Sequence, residues 1–431
     1  MISTLLNKFK ENNYILFAVI TTIITVIVKA YLHQPLNSTF QFGDEPSYLM
    51  ESDYLAKYGL YNSLSQGTSV VLSLMIVLCS KIFSTSLLIA GRIYSVIAFS
   101  VSAIVLFRIL KKYTTLSLSI IAFTLIYFAT MCKGWLWREL ADLAAMPFVL
   151  GSLYFLLQNK GFKSAALSGL FLFLGFAIKP TCLLMIPAFV AGTAILTYKT
   201  YGFKQSAIST LIWIGVFIPL FGLYHIPGYQ VYNKLMLESK NHTYDGEKRV
   251  ENKSSWVERN VYMARYNTDE NTNYWNVTWE TVDSFKKANP QINLNLGTSE
   301  YMMQNPVHHL KQVGLKIVSF LPYEIQSGFF FSLWTKINSL LKNDAILKFI
   351  TLLLIASIYF RERELIKNNS TLFIVASLYF ISLSLYVFID LQNNWVVWCM
   401  PIFALPVVSF LTRYINIAVL ILLQLGFIVL L

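Results

Sequence analysis

The chain has 431 residues, of which 56% are hydrophobic and only 13% charged, with a mean hydropathy of +0.56; a soluble domain carries about 25% charged residues, so an ordinary water-soluble enzyme is excluded. The formal net charge of +12 does not point to nucleic acid, because Lys and Arg fall in short clusters between apolar runs, the pattern that orients membrane helices. Cys79, Cys132, Cys182 and Cys399 are isolated, which indicates neither a zinc site nor a disulfide framework.

A bilayer core about 30 Å thick needs about 17 to 25 apolar residues per helix, and such runs recur along most of the chain. The first follows Lys8 and Lys10 and is followed by no small-residue cleavage site, so 14–31 is expected to be an uncleaved first helix. A polar loop, 33–66, comes next and holds Gly43-Asp44-Glu45-Pro46, then Glu51 and Asp53. Pro suits a first helical turn, which puts Asp44 and Glu45 just before or at the start of a helix running to about Tyr58. A helix N-terminus favours negative charge, so Asp44 should stay ionised, either as an acidic cap or as a carboxylate that holds or deprotonates an acceptor group.

The stretch 69–83 is apolar but short and is expected to be juxtamembrane or re-entrant. Spans follow at 87–110, with Arg92 near its start, and at 116–131. The loop between 131 and 140 reads Lys133-Gly134-Trp135-Leu136-Trp137-Arg138-Glu139. A helix from Trp137 makes Arg138 and Asp142 neighbours at i, i+4. Asp142 then lies in the apolar margin, where an ionisable group is costly and tends to be functional; an ion pair with Arg138 explains it equally.

After a span at 140–157, the run 165–196 is too long for one crossing and barely long enough for two. Pro180 disfavours a helical Lys179, which predicts a turn there and spans at 165–178 and 181–196. A further span at 207–224 leads into a long polar segment, 225–310, rich in Asn, Thr, Tyr and Trp. Its His308-His309 pair and its Asn-x-Ser/Thr triplets at Asn241, Asn252 and Asn276 are weak signals. An interrupted apolar stretch, 313–333, precedes spans at 345–360, 371–389, 396–411 and 415–431.

Alternation puts Lys8, Lys10, Arg108, Lys111, Lys112, Lys160, Lys163, Lys199, Lys204, Arg361, Arg363 and Lys367 on one face, which the positive-inside rule makes cytoplasmic. Asp44, Glu45, Arg92, Arg138, Glu139 and the Lys179 turn then share the opposite, extracytoplasmic boundary. Cations there suit a phosphate, through charge-assisted hydrogen bonds, or snorkel to lipid headgroups. No Walker loop, GxSxG elbow, HExxH or dinucleotide fingerprint is present, which removes the common soluble-enzyme chemistries.

In layout the chain resembles the GT-C glycosyltransferases, in particular the branch of protein O-mannosyltransferases and the lipid A aminoarabinose transferase. Four features carry the resemblance in order: Asp44-Glu45 opening a first-loop helix with Tyr48 and Leu55-Ala56; Arg92 to Ser95 heading the next full span; Arg138, Glu139 and Asp142 between the third and fourth spans; and Gly175, Ala177 and Lys179 ahead of Pro187. The match covers roughly the first 200 residues, with Pro401 and Pro406 similar to a late Pro-rich helix of the family. A Lys-Pro-Pro type segment of the first loop is replaced by Ser65-Gln66-Gly67-Thr68.

The resemblance implies an all-α polytopic fold: a GT-C-like bundle of about 11–13 transmembrane helices, with juxtamembrane helices and an extracytoplasmic loop domain. The expected divisions are an N-terminal module at 1–225, the loop domain at 226–311 and a C-terminal module at 312–431. It also implies transfer of sugar from a polyprenyl-phosphate donor to a lipid, glycan or protein acceptor in the envelope, on the outer side of the plasma membrane. Carried over, Asp44 is the catalytic carboxylate with Glu45 beside it, Asp142 or Glu139 is the second acidic position, and Arg92, Arg138 and Lys179 hold the donor phosphate. No metal or other cofactor is indicated. An O-antigen or capsule polymerase and a flippase of lipid-linked glycans are the alternative readings.

Overall fold

The structure is a computed structural model that describes residues 45–66, 69–114, 141–233, 242–245, 248–251, 356–384 and 400–414, with isolated positions between 287 and 354. The expected spans at 14–31, 116–131 and 415–431, the stretch 313–333 and most of 345–360 lie outside the described residues, as do Asn241, Asn252, Asn276, His308 and His309.

The described part is built on helices. Helix α1 (Glu45–Ser65) begins with an acid in its first turn and Pro46 behind it, and bends at Gly59, whose φ of 82° and ψ of 177° no other residue adopts readily. Helix α2 (Val70–Phe83) ends at Ser84 in the left-handed conformation. Helix α3 (Leu87–Tyr113) starts under a Ser86 cap, whose side chain accepts from the Ile89 N–H at 3.4 Å, and carries Lys111 and Lys112 in its last turn, where cations complement the helix dipole.

Helices α4 (Ala141–Gln158) and α5 (Phe162–Ile178) form an antiparallel hairpin around Asn159 and Gly161, both at positive φ. The expected break at Lys179-Pro180 is present. Lys179 is extended, a six-residue 3-10 turn (Pro180–Met185) follows, and α6 (Ile186–Tyr201) continues from it. Gly202, at φ 84°, ends α6 and opens α7 (Phe203–Tyr232). Helices α8 (Arg363–Asn368), α9 (Ser370–Ser384) and α10 (Met400–Thr412) complete the helical set. In the 226–311 segment a two-stranded antiparallel hairpin pairs β1 (His242–Asp245) with β2 (Lys248–Glu251), with His242 opposite Glu251; the other described elements are helical, as expected.

Three stretches are long and apolar enough to cross a membrane, Leu87–Tyr113, Pro180–Tyr201 and Phe203–Val231, and shorter apolar helices lie at Val70–Phe83, Leu143–Gln158, Phe162–Ile178 and Ser370–Tyr379. Helix α5 is central, packing against α4 and α7, with α3 behind α4 and α6 beside α7. Close approach is allowed by small residues, as is usual in membrane bundles. A Cβ on Gly169 of α5 would stand 2.9 Å from the Trp213 carbonyl oxygen of α7. Beside it, Ser152 Oγ donates to the Ser168 carbonyl at 2.8 Å and Trp213 Nε1 donates to Ser168 Oγ at 3.3 Å, so polar groups of α4, α5 and α7 satisfy one another inside an apolar bundle. Trp213 and Phe217, stacked at 5.3 Å, lead along one face of α7 at helical spacing to Phe221 and Tyr224.

Contacts between helix ends sort the bundle into two poles. Lys112 donates to the Leu157 carbonyl, and Asn159 donates to the Leu196 carbonyl at 3.0 Å and accepts from Tyr201 on its own carbonyl. The end of α3, the α4–α5 turn and the α6–α7 turn thus share one pole. It carries Arg108, Lys111, Lys112, Lys160, Lys163, Lys199 and Lys204, and the stretches 105–114, 155–165 and 196–206 that form it contain no Asp or Glu. Elsewhere Glu362, ahead of α8, accepts from Ser409 at 2.9 Å and Arg413 at 2.8 Å, tying α8 to α10.

Candidate functional site

The pole opposite the lysines is built from the start of α1, the starts of α2 and α3, the break after α5 and the last turns of α7. Along α1, Glu45, Tyr48, Glu51, Ser52 and Leu55 are buried, and their spacing puts them on one broad stripe. Two carboxylates therefore face into the protein, six residues and about 9 Å of helix apart.

Glu45 meets Arg92. The guanidinium donates from Nη2 to Oε2 at 3.3 Å and from Nε to Oε1 at 3.4 Å, and both side chains are fully buried. Two parallel contacts from one planar fork fix orientation as well as charge. The first-loop helix is thus clamped to the head of α3 by an acid and a base that the sequence places 47 residues apart.

Glu51 serves a different element. Its Oε2 accepts from the Ser69 backbone N–H at 3.1 Å, one of the donors that a helix start leaves without an intrahelical partner. The next such donor, Val70 N–H, goes to Tyr224 Oη at 3.3 Å, and that hydroxyl reaches the Ala177 carbonyl at 3.4 Å. Tyr224 therefore joins the start of α2, the end of α5 and the end of α7 at one point. Lys179, two residues beyond Ala177, is buried. A surface pair completes α1: Asp53 accepts from Lys57, and that hydrogen bond together with the Asp53 charge holds the ammonium above its ordinary range.

The expected site residues divide three ways. Glu45, Arg92 and Lys179 are at this pole, with Glu45 and Arg92 in contact. Asp142 is the second residue of α4, and its side chain lies outside the described set. Asp44, Arg138 and Glu139 also lie outside the described residues. No group of three or more potential metal ligands occurs among the described residues.

Two contributors were not legible as such. The sequence reading ends its span at Tyr224 and assigns His225 to the following loop, whereas α7 continues to Tyr232, through Pro219 and Pro227. The 225/226 domain boundary therefore falls inside a helix. His225 is buried against the rings of Phe176, Phe221 and Tyr224, and among the described residues its Nε2 has no hydrogen-bond partner. The available signal was the aromatic spacing Trp213, Phe217, Phe221, Tyr224, which runs on without interruption into His225 and marks the covered face of a helix that has not yet ended.

Compared with known protein families, curated proteins and solved structures, the chain matches none of them.

Proposed function

We propose that this is a membrane glycosyltransferase of GT-C type, which moves a sugar from a polyprenyl-phosphate donor to an acceptor on the extracytoplasmic side of the plasma membrane. The observation that carries the reading is the buried Glu45–Arg92 contact at the pole away from the lysines. It fixes the start of α1 against the head of α3, and Asp44, the preceding residue in the sequence, is the proposed catalytic carboxylate. Clusters of Lys at the other pole support a cytoplasmic orientation for that end. Nucleotide sugars are cytoplasmic, so a sugar used at the acidic pole arrives tethered to lipid.

In the proposed step an acceptor oxygen attacks the anomeric carbon, the bond from that carbon to the donor phosphate oxygen breaks, and configuration inverts. The acceptor proton passes to the Asp44 carboxylate. The polyprenyl phosphate leaves with the bonding pair, and its growing negative charge is stabilised by Lys179, at this pole, and by Arg138. Arg92 acts through Glu45 as a positioning residue, and Asp142 or Glu139 supplies the second acid. No step uses a metal.

A lipid-linked glycan flippase is the second reading, favoured by the burial of Glu51, Lys179 and His225 between helices, because ionisable groups inside a bundle also mark transport paths. Reconstitution with a labelled polyprenyl-phosphate monosaccharide separates the two. Label found on an acceptor supports the enzyme, label moved across the bilayer but still on its lipid supports the flippase, and a requirement for a pyrophosphate-linked oligosaccharide indicates a polymerase. Asp44→Asn is expected to abolish transfer while leaving membrane insertion intact; an active Asp44→Asn protein removes the catalytic assignment.

A further inference from the structure

Helix α7 is the longest of the described helices, and of the three stretches long and apolar enough to cross a membrane it is the least covered by protein. Only 22% of its most apolar window is buried, against 56% for α3. Its inner face carries Trp213 and Phe217, and its outer face runs Lys204, Ala207, Leu211, Gly215, Ile218 and Gly222 at helical spacing, every one exposed. Leu211 and Ile218 are 66% and 53% exposed, and among the described residues no atom beyond the adjoining backbone of α7 itself lies within 4 Å of where a Cβ on Gly215 or Gly222 would stand. The outer face is thus a row of apolar ridges separated by open gaps.

This face ends at the α6–α7 turn. Lys199 and Lys204 flank the turn, both exposed, and among the described residues neither forms an ion pair. Tyr198, Tyr201 and Phe203 stand exposed around them, the kind of ring that settles at headgroup level. An apolar strip that begins under two lysines and three aromatic rings complements an amphiphile with a negative head and hydrocarbon tails.

We infer that the outer face of α7 together with Lys199 and Lys204 is a seat for an anionic phospholipid, with its phosphate at the turn and an acyl chain along Ala207, Leu211, Gly215 and Ile218. Charge argues against a second copy of the chain as the occupant. Two copies in one membrane share an orientation, and a two-fold contact through α7 sets like against like, bringing Lys199 and Lys204 of one beside the same lysines of the other.

The test uses the full chain purified in mild detergent, with phosphatidylglycerol and phosphatidylethanolamine of identical acyl chains, and retained lipid counted by native mass spectrometry. Phosphatidylglycerol is expected to be retained about thirtyfold more strongly, the ratio that corresponds to about 1 kcal/mol of headgroup attraction for each of the two lysines. The K199Q/K204Q protein should lose that preference, whereas K160Q/K163Q, with the same charge removed from the neighbouring turn, should keep it. Tryptophan introduced by I218W should be quenched by phosphatidylglycerol brominated on its acyl chains. Equal retention of the two lipids overturns the inference, as does equal loss in the two lysine variants. Displacement by soluble glycerophosphate, absence of quenching, or a dimer cross-linked through α7 overturns it as well.

Discussion

The Glu45–Arg92 pair is where residue chemistry and position meet. Each group is fully buried, so the contact helps each to offset the loss of water. Removing one partner of a buried pair costs about 3–5 kcal/mol, because the remaining charge is stranded, whereas replacing both with apolar groups of similar volume is often neutral. Glu45→Leu and Arg92→Met should therefore each lower the melting temperature of the purified protein, and the double variant should recover much of the loss; additive losses would show that the pair is not a unit. His225 gives the opposite expectation. Its Nε2 lacks a partner among the described residues, inside an aromatic pocket, so His225→Phe should leave thermal stability unchanged or slightly raised, and a clear drop would reveal a bond that Nε2 makes. These three residues also mark what sequence can tell. Glu45 was legible because Pro46 and the acid announce a helix start, and Arg92 because a cation at the head of an apolar run stands out. Their mutual contact was not, since nothing local links positions 47 apart. His225 was lost because a polar residue beside Pro227 reads as a loop, although packing against Phe176 and Phe221 keeps the helix going.

At the level of elements, the joints were read better than the lengths. The Lys179-Pro180 break was fixed by steric exclusion at the residue before proline, a strictly local rule, and it is found as expected. The ends of α7 depend on partners far away in the chain, and the expected span was shorter than the helix found. Packing between elements yields two tests. Gly169→Ala drives a Cβ against the Trp213 carbonyl oxygen, and backbone cannot swing aside as a side chain can. The α5–α7 contact should loosen at a cost of about 1–3 kcal/mol, read as a fall in melting temperature; an unchanged value would mean that the two helices separate freely. Gly59 is a different case. Nothing lies within 4 Å of its Cβ position, so Gly59→Ala tests backbone strain alone, at about 1–3 kcal/mol. That variant should straighten α1 or destabilise it, measured by hydrogen exchange of the 60–65 backbone against that of 45–55.

Across the whole molecule, the segregation of charge was the most legible property, because it is written in counts of Lys and Arg between apolar runs and needs no contact to be known. The packing order of the helices, with α5 between α4 and α7, was not legible, since apolar faces of similar composition do not name their partners. Orientation has a direct test. Cysteine placed at Lys160 should react with impermeant thiol reagents only from the cytoplasmic side, and cysteine placed at Tyr58 only from the outside; the reverse pattern would invert the proposed chemistry. The helices also differ in reach. At about 1.5 Å per residue, α5, with 17 residues, extends about 26 Å, less than a hydrocarbon layer of about 30 Å. Helix α3, with 27 residues, extends about 40 Å. A bilayer that α5 crosses must pinch inward there, drawing the headgroups at the Lys179 end of the helix down toward that residue. If the proposed function holds, a carrier lipid in that leaflet would find its phosphate lowered to the depth of this residue without leaving the plane of its neighbours, and sugar transfer should fall as the surrounding acyl chains are lengthened.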